Sequence, residues 1–111
     1  MATRRKREYL LYMDRAKSAA LAAVDSFNSV NHPYRPETTL ILLANAWELL
    51  AKAILIHLKE SITVGRRGET ISGEKAVHRL LSKKKIEKHE AEIIQQVISL
   101  RNAASHLMRR I

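Results

Sequence analysis

The chain has 111 residues, of which 46% are hydrophobic, and its formal net charge is +9. This length suits one domain with one core, and the apolar fraction excludes a disordered tail. The absence of cysteine excludes disulfides and thiolate chemistry, and the scarcity of glycine and proline favours helices over a turn-rich sheet.

Much of the positive charge lies in short clusters, and a field of this sign attracts polyanions, of which nucleic acid is the commonest. The alternative is a solvated surface that only aids solubility. The clusters are RRKR at 4–7, RR at 66–67, KKK at 83–85 and RR at 109–110. The basic start of the chain contains no uninterrupted apolar segment of the signal-peptide type, so we expect a cytoplasmic protein.

Residues 7–28 are predicted to form the first helix, because apolar side chains recur there every three or four residues. A segment that contains Pro33 and Pro36 ends it. The second helix is predicted to begin at Pro36 or Glu37 and to run to about Lys59.

The centre of the second helix, LILLANAWELLAKAILIHL, is apolar on nearly all sides and long enough to cross a membrane. Ionisable groups within it are costly in a bilayer, so we predict the central helix of a soluble bundle and no membrane contact. Asn45, Glu48 and Lys52 project within about 60° of one another. They form either a self-neutralising edge of the core or a polar stripe that faces a functional site.

Residues 61–73 are rich in turn formers and predict a short irregular insert. Ile62–Val64 and Thr70–Ile71 could pair as a small hairpin around the sequence GRRG, and a loop is the equal alternative. Arg66 and Arg67 at its tip are then placed to contact phosphate.

Ser72 is a candidate N-cap for a short third helix over about 74–82, and the fourth helix is predicted over about 86–109. On a helical wheel the fourth helix has one apolar stripe, which we expect to face the core. The stripe contains Ile86, Ile93, Val97, Leu100, Ala104 and Leu107, widened by Ile94 and Ile98.

Asn102 and His106 lie opposite this stripe, so His106 is expected to face solvent, a second subunit or a ligand. Arg101 lies between the two faces, and its long side chain can lean either way. An imidazole can move the proton of a ribose 2′-hydroxyl, while a guanidinium holds the phosphate and stabilises its charge. The spacing alone also allows the alternative that these three residues are ordinary surface groups near a helix terminus.

The segments PYRPETTLILLANAWELLAKAILIHL, GETIS and LRNAASH resemble a bacterial family of HEPN-type (higher eukaryotes and prokaryotes nucleotide-binding) domains, over residues 8–108. This superfamily comprises small helical bundles, many of which are metal-independent ribonucleases of toxin–antitoxin, abortive-infection and CRISPR systems. Its signature is an arginine, often followed by a polar residue, and then a histidine after a gap of four to six residues. Arg101, Asn102 and His106 match that signature, and Glu48 matches the acidic position on an earlier helix.

The sequence and the resemblance together predict one all-α domain over residues 1–111, an antiparallel four-helix bundle that is a short version or a fragment of a longer protein. We expect a homodimeric, metal-independent endoribonuclease of a toxin–antitoxin or phage-defence system that needs no cofactor. An antitoxin or a larger defence protein would be a further partner. The catalytic candidates are Arg101, His106, Asn102 and Glu48, and the RNA-binding candidates are Arg66, Arg67, Lys52, Arg109 and Arg110.

Two other functions are compatible with the same residues. One is a non-catalytic module that binds nucleic acid or assembles with a larger defence protein. The other is a DNA-binding helical protein, although no segment has a helix-turn-helix pattern. The remaining histidines have no spacing that suggests a zinc site, so no metal is expected.

Overall fold

Helices dominate the computed structural model, which describes residues 2–29, 33, 35–64 and 68–109. The helices within these ranges are α1 (Ala2–Asn28), α2 (Arg35–His57), α3 (Gly73–Ser82) and α4 (Lys88–Arg109). Strands β1 (Thr63–Val64) and β2 (Glu69–Thr70) pair antiparallel, with Thr63 opposite Thr70. The four predicted helices and the hairpin are therefore confirmed.

The second helix, α2, is the centre of the fold. Helix α1 packs along one part of its surface, while α3 and α4 pack against another part and against each other. Over the ranges given above, α1 does not pack against α3 or α4. The all-α class is confirmed, but a closed four-helix bundle is not, because α1 lies on α2 alone.

The core forms where α2 meets α3, α4 and the residues that flank the hairpin. Alanines on α2 let the neighbouring helices approach closely, and branched side chains fill the space between them. Its buried members are Ala44, Ala51, Leu55, Ile56, Ile62, Ile71, Ala76, Val77, Leu80, Ala91, Ile94 and Ile98. Burial of this cluster fixes the register of α4 against α2, and hence the position of the polar residues between them.

By length and composition alone, α2 is apolar enough over Pro36–His57 to cross a membrane. It packs against α1, α3 and α4, and 39% of its apolar window is buried within the protein. It is therefore the central helix of the domain.

The helix ends explain why the chain turns where it does. Ser72 caps α3, since its side-chain oxygen accepts from the Lys75 N–H at 3.2 Å, as predicted. Helices α2 and α3 are each followed by a lysine in the left-handed conformation, Lys59 (φ 65°) and Lys84 (φ 59°). The N–H of Glu60 donates to the Leu55 carbonyl oxygen at 2.9 Å and closes α2.

The buried face of α4 differs from the predicted one. Ala91, Ile94 and Ile98 are buried against α2 and α3. Ile93, Leu100 and Leu107, which the helical wheel placed at the centre of the core face, are 57%, 53% and 51% exposed. The prediction was therefore right for Ile94, Ile98 and Ala104, which are buried, and wrong for the three exposed residues. Helix α4 has more apolar surface than α2 and α3 can cover, and the wheel alone could not show which part is covered.

Candidate functional site

A network of polar side chains joins α2 to α4 beside the core. Nη1 of Arg101 donates to Oδ1 of Asn45 at 2.8 Å and to Oε2 of Glu48 at 3.1 Å. Nε of Arg101 donates to Oδ1 of Asn102 at 2.9 Å. Arg101 therefore leans from α4 toward α2, and three acceptors fix its guanidinium in one orientation.

The other oxygen of Glu48 binds a second cation. Nζ of Lys52 lies 3.2 Å from Oε1 of Glu48 and donates to Oγ1 of Thr70 on β2 at 2.9 Å. The Lys52 side chain is only 9% exposed, and the Glu48 side chain is 19% exposed. Because one carboxylate serves two cations, the group of Glu48, Lys52 and Arg101 carries a net positive charge that can attract an anion.

The first residue of α3 packs directly against this carboxylate. A Cβ atom added at Gly73 would lie 3.0 Å from both Cγ and Cδ of Glu48. Both oxygens of Glu48 are held by cations, so the side chain has little freedom to move away. Gly73 thus permits the close approach of α3 that keeps Glu48 in place.

The outer side of the Arg101 guanidinium remains available. Its Nη1 and Nε atoms hold the three contacts just given, and within the described ranges Nη2 makes no hydrogen bond. The side chain is 19% exposed. A guanidinium has five N–H donors in a planar fork, so Nη2 can still donate to a phosphate oxygen while the other nitrogens anchor the group.

His106 is exposed near the end of α4, five residues after Arg101. It makes no hydrogen bond or ion pair with any residue that the structure describes. Asn102 is also exposed, and its side-chain oxygen accepts from Arg101 instead of from His106. The structure therefore joins Glu48, Arg101 and Asn102 directly and leaves His106 about one and a third helical turns away.

The predicted RNA-binding residues have different surroundings. Arg66, Arg67 and Arg110 lie outside the described residues. Arg109 is exposed on the last turn of α4, where its Nε contacts the Ser105 carbonyl oxygen at 3.4 Å. Lys52 is buried, and its ammonium donates to Glu48 and Thr70, so a contact with RNA would compete with these two partners.

Sequence reasoning missed two residues of this network. Thr70 was predicted only as part of the hairpin, and Gly73 was not singled out. A glycine directly after a serine N-cap is a weak signal of close helix packing, but nothing in the sequence indicates that its neighbour is Glu48. Within the described ranges, no group of three or more histidine, aspartate or glutamate side chains is arranged to hold a metal ion.

The sequence matches a known protein family over most of its length. Residues 11–110 match a family described as "Domain of unknown function (DUF3644)". No curated protein and no solved structure matches the chain significantly. Since the family match extends over nearly the whole sequence, the chain belongs to the DUF3644 family.

Proposed function

We propose that this protein is a metal-independent endoribonuclease of the HEPN type that acts as a homodimer. The observation that carries the proposal is the anchored Arg101 guanidinium, which keeps Nη2 free for a phosphate. The overall charge of +9 favours a polyanionic substrate. A bacterial cytoplasm and a toxin–antitoxin or phage-defence system are the setting that the resemblance implies.

In this mechanism Arg101 binds the scissile phosphate. Nη2 donates to a non-bridging oxygen, and the positive charge stabilises the extra negative charge that develops at phosphorus. Glu48 and Asn45 hold the guanidinium from behind, while Lys52 holds the second oxygen of Glu48. Because these contacts already exist in the free protein, little reorganisation accompanies substrate binding.

His106 provides the proton transfers. One neutral imidazole accepts the proton of the ribose 2′-hydroxyl as its oxygen attacks phosphorus, and a protonated imidazole donates to the departing 5′ oxygen. The P–O5′ bond breaks as the P–O2′ bond forms, so the products are a 2′,3′-cyclic phosphate and a 5′-hydroxyl. A second copy of His106 in a dimer supplies the second proton-transfer group.

The exposed apolar surface of α4 supports the dimer. We define the α4 stripe as Ile93, Leu100 and Leu107, which are all exposed and recur every seven residues, the repeat of a helix-pairing seam. On the helical wheel Arg101 lies about 100° to one side of the α4 stripe, and His106 lies about 120° to the other side. A second copy docked on the α4 stripe would therefore lie beside Arg101 at one edge and beside His106 at the other.

The dimer yields a direct prediction. Leu100→Glu places a charge at the centre of the α4 stripe, so we expect the dimer dissociation constant to rise by at least about 100-fold and cleavage to fall with it. The fold should survive, since Leu100 is 53% exposed. Light scattering after size exclusion measures the oligomeric state, and cleavage is measured at the same protein concentration.

Leu21→Glu is the matched control, because it makes the same change at a leucine of α1 that is 67% exposed. This variant should remain dimeric and active. A Leu100→Glu protein that stays dimeric and cuts RNA at the normal rate would exclude the α4 stripe as the interface.

The decisive experiment for the proposed function is cleavage of labelled RNA in excess EDTA. We expect cleavage to persist in the chelator and to leave 2′,3′-cyclic phosphate and 5′-hydroxyl ends, which mass spectrometry of the fragments identifies. Cleavage that EDTA abolishes, or 3′-hydroxyl ends, would contradict the proposal.

The second candidate function is a non-catalytic module that binds nucleic acid or a larger defence protein. It is favoured by one observation, namely that no described residue orients the ring of His106, whereas a catalytic imidazole needs an orienting partner. In the dimer that partner would come from the second subunit. RNA that is retained uncut, with an affinity that falls steeply as salt rises, would identify the binding module.

A further inference from the structure

A second basic site lies at the end of the molecule where α1 begins and α2 ends. An open groove of about 840 Å³ is formed there by the first turns of α1, the end of α2 and strand β1. We call it the α1 groove, and its lining includes Arg4, Arg5, Lys6, His57 and Lys59, with Glu8 as the one carboxylate of the lining.

The cations of the α1 groove are not neutralised by the protein. Within the described ranges, no carboxylate lies within ion-pair distance of Arg4, Arg5, Lys6 or Lys59. In contrast, the cations of the Arg101 network share Glu48. Concentration of unpaired positive charge in a concave surface focuses the field and attracts an extended anion.

An aromatic pair contributes to the wall of the α1 groove. The rings of Tyr9 and His57 are 5.1 Å apart and tilted by 38°. Ring systems beside cations are the combination that single-stranded nucleic acids require, because bases stack on rings while phosphates contact lysine and arginine.

We propose that the α1 groove binds single-stranded RNA through its phosphates, at a site separate from the Arg101 network. The inference rests on the proposal that RNA is the ligand of this protein, but it does not depend on cleavage. A membrane surface is less suitable, since the cations line a concave groove and not a flat face.

The hairpin connects the α1 groove to the Arg101 network. Thr63 lines the groove, and its partner across the sheet is Thr70. Thr70 accepts the hydrogen bond from Lys52, which in turn holds Glu48. A strand bound in the α1 groove is therefore separated from Glu48 and Arg101 only by the width of the hairpin and one lysine side chain.

The test compares two sets of three substitutions with the same change in charge. Arg5→Gln, Lys6→Gln and Lys59→Gln remove cations of the α1 groove. Arg15→Gln, Lys75→Gln and Lys88→Gln remove exposed cations outside it. Both sets are made in a His106→Ala chain to prevent cleavage, and thermal unfolding checks that both fold.

Binding is measured by fluorescence anisotropy with labelled oligouridylate of about 12 nucleotides. We expect the groove substitutions to weaken binding by about tenfold or more and to reduce the slope of log K against log salt by about two, since each phosphate contact on a single strand contributes about 0.7. The control substitutions should change the affinity by less than about threefold.

Equal loss in the two sets, or no loss in the groove set, would overturn the proposal. Loss of binding to phosphatidylserine vesicles with unchanged RNA binding would also overturn it, in favour of a membrane site. If the chain with His106 intact leaves RNA uncut while binding still depends on the groove cations, the nuclease is refuted and the α1 groove stands. If that chain cleaves RNA while binding does not depend on the groove cations, the α1 groove is refuted and the nuclease stands.

Discussion

Replacing His106 with alanine is expected to lower the rate of RNA cleavage by about 10²–10⁴-fold, the usual contribution of general acid–base catalysis. The side chain is exposed and makes no hydrogen bond to the residues described, so its loss should leave the free energy of unfolding within about 0.5 kcal/mol. The loss should therefore appear in kcat and not in thermal stability.

His78→Ala is the matched control for this variant. His78 is also an exposed helical histidine, but it lies on α3 and outside the Arg101 network. We expect it to cut RNA at the normal rate. Equal cleavage by the His106→Ala and His78→Ala proteins would exclude His106 as the proton-transfer group. A change in KM alone would assign His106 to binding.

Local patterns in the sequence predicted the helices and the hairpin well. The helix α1 begins at Ala2, five residues earlier than the predicted start, and α4 begins at Lys88, two residues later. Such ends depend on a few local contacts. At the start of α4, the Glu87 N–H donates to Oε1 of Glu90 at 2.8 Å, which satisfies a free donor at the helix terminus.

The periodicity of apolar residues was a weaker guide to which faces of the helices are buried by their neighbours. A wheel reports where apolar side chains lie on one helix, but only the arrangement of several helices decides which of them lose contact with water. On α4 the mean direction of the apolar residues falls between Ile93 and Ala104, and of these two neighbours Ile93 is 57% exposed while Ala104 is buried. Surplus apolar surface of this kind is expected where another protein surface docks.

The sequence predicted only part of the polar network, because helical periodicity relates residues within one helix and not residues on separate segments. The shared face of Asn45, Glu48 and Lys52 follows from helix geometry, and the structure places all three in one network. Their contacts with Thr70 and Gly73 join segments 18 and 25 residues further along the chain, which helical periodicity does not relate. The resemblance indicated Arg101, but not which of its nitrogens stays free.

Replacing Arg101 with lysine should reduce cleavage by about 10²–10³-fold, although the positive charge is retained. A lysine ammonium cannot reproduce the planar fork that donates to Asn45, Glu48 and Asn102 and still presents Nη2 to a phosphate. Loss of two of these hydrogen bonds should lower the free energy of unfolding by about 1–2 kcal/mol. Single-turnover cleavage and denaturant unfolding measure the two effects separately.

Arg79→Lys separates a structural role from a catalytic one. Nη1 of Arg79 donates to the Ser61 carbonyl oxygen at 2.8 Å, so this variant also loses a guanidinium contact, but one outside the Arg101 network. We expect a loss of stability without a loss of cleavage. If Arg101→Lys behaves in the same way, Arg101 is a structural ion pair that joins α2 to α4. If only Arg101→Lys loses cleavage, at a protein concentration where both variants are folded, the guanidinium itself acts on the phosphate.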